Sequence, residues 1–225
     1  ISAYLMKQYG PHAMADMMRK MGVGSYIDET YSLCVGSADI SVYEMVAAYN
    51  TFPSKGVYVT PIFVTRIEDN MGNVIGEFNN TKREAIGEHT AYLMANLMQG
   101  VVNSGTGVRL RAKYGLKGEI AGKTGTTNDQ SDGWFIGYTP TLTAGVWVGA
   151  EDRQVHFESL ALGGGSNMAL PIWGLFMQKV LKDGTLGVSE NDRFVPSGVK
   201  LELNCDGSDA DAVGSAQDDE SLYFD

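Results

Sequence analysis

What this chain of 225 residues lacks already excludes several functions. No apolar run approaches the ~18 to 20 residues that cross a bilayer, so no membrane span is expected within it. No basic patch points to nucleic acid, because the formal charge is −10. Most of that charge is local: seven of the 27 acids lie between Asp206 and Asp225, where there is no Lys or Arg, leaving 20 acids against 17 bases elsewhere. Cysteine is scarce. Cys34 and Cys205 stand far apart in unlike contexts, and two free or buried thiols are expected rather than a disulfide. His12, His89 and His156 are scattered without ligand spacing, so neither a metal nor any other cofactor is expected. No secretory leader is visible, and Ile1 stands where a start methionine would, which reads as a fragment or processed product.

What remains is a chain with 44% hydrophobic residues, enough to bury one sizeable core. Its most informative stretch is Gly122-Lys123-Thr124-Gly125-Thr126-Thr127, set between the apolar segments 118–121 and 134–138. That context predicts a strand with one polar side. Lys123 offers a compact positive charge, while Thr124 and Thr126, two apart, project from one face. Glycines at 122 and 125 leave room for a ligand to approach the backbone. Such a strand suits a carboxylate. A phosphate-binding loop would need glycine five residues before Gly122, but position 117 is Lys and Gly118 leaves only three residues between. The nucleotide reading fails on spacing.

The other use of a Lys-Thr-Gly box is in penicillin-binding proteins and serine β-lactamases. Here the flanks are specific. Residues 122–128, then Asp132-Gly133-Trp134-Phe135-Ile136-Gly137-Tyr138-Thr139-Pro140, then Gly145-Val146-Trp147-Val148-Gly149 closely resemble the transpeptidase domain of class A (bifunctional) penicillin-binding proteins. Further similarity lies in Ala47-Ala48-Tyr49 with Phe52, Gly56 and Pro61, in Val101-Val102 with Gly105-Thr106-Gly107, and in Gly164-Gly165, Ala169, Pro171-Ile172-Trp173 and Phe176-Met177. The resemblance runs from residue 1 to about residue 182. It implies an α+β fold, an antiparallel sheet covered by helices as in the penicillin-binding protein and serine β-lactamase transpeptidase fold, with 1–204 as the C-terminal part of the domain. Residues 205–225 read as an acidic, disordered tail.

Taken in order, residues 1–8 read as the end of a helix that Gly10-Pro11 closes before another begins near His12. Met14, Met17, Met18 and Met21 make a one-sided stripe, read as core packing over a copper site. Ser41 and Glu44 form a capping box that opens a helix through Phe52. Extended segments at 57–67 and 74–78, turned at Asn70-Met71-Gly72-Asn73, make an outlying hairpin. A helix over 89–102 has Tyr92, Leu93, Leu97 and Val101 on its apolar side and delivers a cleft-bordering loop at 103–107. Arg109, Arg111 and Lys113 read as solvated surface. Strands over 118–127, 133–139 and 142–150 form an antiparallel run, and Ser166 or Asn167 caps a last helix through Lys182.

The resemblance also implies chemistry. The family's serine attacks the carbonyl of a peptidoglycan stem ending in D-Ala-D-Ala, releases D-alanine and passes the acyl group to a neighbouring amine; β-lactams mimic that substrate. By this resemblance Lys123, Thr124 and Gly125 are catalytic, Thr126 and Thr127 bind substrate, and the Thr126 N–H supplies half of an oxyanion hole. The implied location is the periplasm, at the extracytoplasmic face of the cytoplasmic membrane, reached only through an N-terminal anchor absent from these residues. Yet the family's Ser-x-x-Lys and Ser-x-Asn motifs, which precede the box, do not occur upstream of Lys123. Ser189-Glu190-Asn191 and Ser197-Gly198-Val199-Lys200 match those letters in the wrong order and in poor helix context. The chain is thus expected to need the upstream half of its own domain and to be inactive alone. A noncatalytic cell-wall-binding module of the same fold and a serine β-lactamase remain as alternatives.

Overall fold

A computed structural model describes residues 1–198. The expected break at Gly10 forms: helix α1 (Ser2–Lys20) is interrupted there by a left-handed φ of 80°, which glycine adopts without a Cβ penalty. A 3₁₀ turn at Tyr31–Val35 leads to α2 (Val42–Tyr49). The Ser41 hydroxyl accepts from the Glu44 N–H and the Glu44 carboxylate accepts from the Ser41 N–H, so the capping box forms as its spacing predicts.

Two small antiparallel pairs follow. β1 (Val57–Val59) pairs with β4 (Lys82–Glu84), and between them β2 (Arg66–Glu68) pairs with β3 (Val74–Glu77) around a turn in which Asp69 accepts from the Met71 and Asn73 N–H groups. The β2–β3 pair is the expected outlying hairpin, but residues 57–59 pair with 82–84 rather than with 74–78. Then come α3 (Glu88–Asn103), the single turn α4 (Arg109–Ala112), and the central sheet of β5 (Ala121–Thr126), β6 (Asp132–Tyr138) and β7 (Thr143–Gly149) in the order β5-β6-β7. The chain closes with the turn α5 (Leu160–Gly163) and α6 (Ala169–Lys182).

The sheet is sandwiched. On one face the β-carbon position of Gly145 lies 2.5 Å from Val46, so α2 sits directly on β7. On the other, Phe135 meets Trp173 edge to face at 5.2 Å, and the Trp173 indole donates to the Ala144 carbonyl at 3.0 Å. That side holds the largest buried cluster, with Val102, Leu110, Ile120, Phe135, Leu170 and Trp173. The mixed fold with helices on both faces of an antiparallel sheet is therefore as the residues imply.

Several local expectations are corrected. In α3 the buried residues are Ala91, Ala95, Met98 and Val102, while Leu97 is 62% exposed. Small alanines, rather than the larger leucines, let α3 come close against β5. Of the methionine stripe, Met18 and Met21 pack on the core, whereas Met14 and Met17 are exposed. Helix α6 has Met168 at its N-cap and no side-chain cap, because Asn167 is engaged elsewhere. Arg111 is no solvated surface residue. It is half-buried and donates to Asn103 Oδ1, the Leu116 carbonyl at 2.9 Å and the Gly118 carbonyl at 2.8 Å. Cys34 is a free thiol, while Cys205, Lys200 and the tail 205–225 lie outside the described residues. No helix among the described residues is long and apolar enough to cross a membrane.

Candidate active site

Among the described residues, strand β5 is an edge strand, hydrogen-bonded only to β6 within its sheet. Its pairing runs Lys123 with Ile136, Thr124 with Phe135, Gly125 with Trp134 and Thr126 with Gly133. Side chains on one strand alternate between faces, and cross-strand partners share a face. Lys123 therefore lies on the α2 face, beside Ile136, whereas Thr124 and Thr126 lie on the α6 face, beside Phe135. The single polar side read from sequence is thus replaced by an edge with the cation to one side and the hydroxyls to the other.

Residues 123–127 all border one open cavity of about 1490 Å³. Its far wall is formed by Met14 and Met18 of α1 and Met45 of α2, and the sheet contributes Trp134, Ile136 and Trp147. Lys123 is exposed, and its Nζ donates to the Thr124 carbonyl at 2.8 Å. The Thr124 hydroxyl pairs with that of Thr106 at 2.8 Å. Thr126 Oγ1 accepts from the Gly165 N–H at 2.9 Å. Thr127 turns inward: its hydroxyl accepts from the Asp132 N–H at 2.9 Å and pairs with Ser131, closing a turn in which Asp129 and Gln130 take left-handed φ values of 57° and 55°.

The two glycines serve the sheet itself. A β-carbon at Gly122 would stand 2.7 Å from the Ile136 carbonyl, and one at Gly125 would stand 3.1 Å from the Trp134 side chain. Gly122 leaves no space for a ligand, which corrects the expectation there, whereas Gly125 borders the cavity. Gly165 is a third close approach, because its β-carbon would lie 2.1 Å from the Gly125 carbonyl. No sequence pattern marks this contact between residues 39 or more apart. At the far edge of the box, Asp132 Oδ2 accepts from the Trp147 indole at 3.2 Å, while its buried Oδ1 has no partner among the described residues.

The two downstream serines are not brought to the box. Ser189 accepts from the Asn191 N–H in a turn, and Ser197 pairs with His89 Nδ1 at 3.0 Å beside the start of α3. Neither borders the cavity that holds Lys123.

Residues 2–156 match the family described as penicillin binding protein transpeptidase domain. The chain is 28% identical to penicillin-binding protein 1A of Aquifex aeolicus over 89% of its own length and 26% of that protein. It is 36% identical to penicillin-binding protein 1A of Clostridium acetobutylicum over 69% of its length and 18% of that protein. Its fold superposes on penicillin-binding protein 1A of Haemophilus influenzae with a TM-score of 0.76 at 21% identity, covering 88% of this chain and 34% of that one. It also superposes on PonA1 of Mycobacterium tuberculosis with a TM-score of 0.70 at 27% identity, covering 88% and 56%. The chain spans about a quarter or less of the length of these sequence relatives. The chain belongs to the penicillin-binding protein transpeptidase family.

Proposed function

We propose that this chain supplies the Lys-Thr-Gly wall of a peptidoglycan D,D-transpeptidase site working by serine acyl transfer at the extracytoplasmic face of the cytoplasmic membrane. The observation that carries this reading is the convergence of Lys123, Thr124, Gly125, Thr126 and Thr127 on one cavity along an unpaired strand edge. A relative, PonA1, has been solved in complex with penicillin V, at 25% identity to this chain.

The chemistry follows from that edge. A serine Oγ attacks the carbonyl carbon of the penultimate D-alanine, and its proton passes to a nearby base. The tetrahedral oxygen gains charge and is met by the Thr126 backbone N–H. The C–N bond then breaks, and the proton leaves with the amine of free D-alanine. An amine of a second stem attacks the ester, restores the serine and completes the cross-link. Lys123 holds a positive potential over the terminal carboxylate, which Thr124 and Thr126 receive as hydroxyl donors. A β-lactam follows the same path up to the ester and carries its carboxylate to the same threonines.

The serine belongs outside residues 1–225, because no Ser-x-x-Lys precedes Lys123 and neither Ser189 nor Ser197, the serines of the downstream motif matches, borders the cavity. The cavity is the seat for the part of the domain that bears it. Its walls include the apolar side chains of Met14, Met45, Trp134 and Trp147, and 1490 Å³ exceeds the ~1,000 Å³ upper range of small-molecule pockets. The test is penicillin labelling of the full-length protein with Lys123→Ala. Loss of about 10²-fold or more in acylation rate is expected. Labelling at the unaltered rate would remove Lys123 from the site.

A further inference from the structure

The structure assigns Arg109 as a positioning residue for the carboxylate subsite: its guanidinium latches together the two loops that hold the Thr124 and Thr126 hydroxyls. This inference rests on the proposed transpeptidase reading and extends it to a residue outside the box.

Each threonine is held from a different loop. Thr106, on the loop after α3, meets the Thr124 hydroxyl at 2.8 Å. Gly165, on the loop before α6, donates its N–H to Thr126 Oγ1 at 2.9 Å. That second bond fixes the direction of the hydroxyl. With one lone pair taken by Gly165, the Thr126 O–H proton points away from the loop and is free to donate to an anion. The Thr106–Thr124 pair does the same when Thr106 is the donor, leaving the Thr124 proton for the ligand. Two loops thus prepare two donors on neighbouring positions of one strand edge.

Arg109 joins those loops. Its Nη1 donates to Asn167 Oδ1 and, at 3.4 Å, to the Ser166 carbonyl. The Asn167 amide in turn donates to the Leu160 carbonyl at 3.0 Å, which turns its oxygen toward Arg109. These are the only hydrogen bonds between segments 104–109 and 160–168 among the described residues. The latch is needed because the Gly165 loop presses on β5 with no slack, a β-carbon there lying 2.1 Å from the Gly125 carbonyl and 2.7 Å from the Trp134 carbonyl. Both bonds leave from Nη1, which stands one bond farther from the backbone than a lysine ammonium, so lysine does not reproduce the reach.

The test uses the full-length protein and two probes, benzylpenicillin and its methyl ester, with binding and acylation steps resolved by stopped flow. Wild type should bind the free acid more tightly than the ester. Arg109→Ala should lower that preference about tenfold by weakening the free acid while leaving the ester unchanged, and Arg109→Lys should recover less than half. Asn167→Ala should produce the same loss and add nothing to Arg109→Ala in the double variant; it also serves if Arg109→Ala fails to fold. Equal weakening of both probes would overturn the inference, since a general structural defect does not distinguish acid from ester. Thr126→Ala separates the two levels. If Thr126→Ala removes the preference and Arg109→Ala does not, Arg109 alone is misassigned; if Thr126→Ala leaves the preference intact, the carboxylate reading of the strand falls as well.

Discussion

Replacing Glu44 with Gln should destabilise this domain and, at the same time, remove a defined part of its pH dependence. The Glu44 carboxylate does more than cap α2. Its Oε1 accepts from the Gly24 and Ser25 N–H groups at 2.9 and 2.7 Å, and its Oε2 accepts from the Ser25 and Ser41 hydroxyls and the Ser41 N–H. It therefore ties the loop after α1 to the helix that lies on β7. Burial alone would raise its pKa, but the hydrogen bonds from Ser25 and Ser41 outweigh that and hold it at about 2, against an ordinary 4.5. At about 1.4 kcal/mol per tenfold change, that interval is a ceiling of roughly 3 kcal/mol, and solvent screening of this partly exposed group reduces it to about 1–2 kcal/mol. The amide keeps one acceptor oxygen and turns an NH₂ toward N–H or hydroxyl donors. Because the folded value is depressed, the stabilisation is fully present above about 4.5 and is lost as pH falls toward 2. Urea unfolding of both proteins at pH 7, 4.5, 3 and 2 should give a gap of about 1–2 kcal/mol at pH 7 that closes in the acid range. A gap that stays constant with pH, or none at pH 7, would refute the reasoning.

Three other outcomes follow from the packing. Trp173→Ala, which empties a fully buried site against Phe135 and removes the indole hydrogen bond to the Ala144 carbonyl, should cost about 3–5 kcal/mol in urea unfolding; a loss under about 1 kcal/mol would contradict the core assignment. Arg111→Lys should cost about 1–2 kcal/mol, because an ammonium cannot serve Asn103, Leu116 and Gly118 together, and a melt unchanged from wild type would return Arg111 to the solvated surface. Gly165→Ala should push its loop off β5 and slow penicillin acylation of the full-length protein at least tenfold, with wild-type kinetics showing that the loop has slack.

Features set by near neighbours in sequence were legible, and those set across the fold were not. The Ser41–Glu44 box, the Gly10 break and the three strands around Lys123 each depend on spacing within a few residues. The same Glu44 also binds Gly24 and Ser25 some twenty residues back, which no local pattern marks. The polar latch around the box spans still more chain: Gly165 to Thr126, and Arg109 to Asn167, are separated by 39 and 58 residues. Arg109 and Arg111 read alike as surface cations, yet one fastens a loop to a loop and the other satisfies buried carbonyls. On α3 the leucines looked like the core face because they are large. Proximity to β5 selected Ala91 and Ala95 instead, since a short side chain permits the closer approach.

The motif and its flanks point to residues 123–127, but their orientation follows only from the register of β5 on β6. That register sets Lys123 on the α2 face and the threonines on the α6 face of the strand edge.

The most direct test of the account is intact mass, measured before and after incubation with penicillin V, on this 24.3 kDa chain and on the full-length protein. The account predicts no adduct on the chain and one penicillin on the full-length protein. An adduct on the chain itself would contradict it and direct attention to Ser197 beside His89; an unmodified full-length protein would contradict the transpeptidase reading outright.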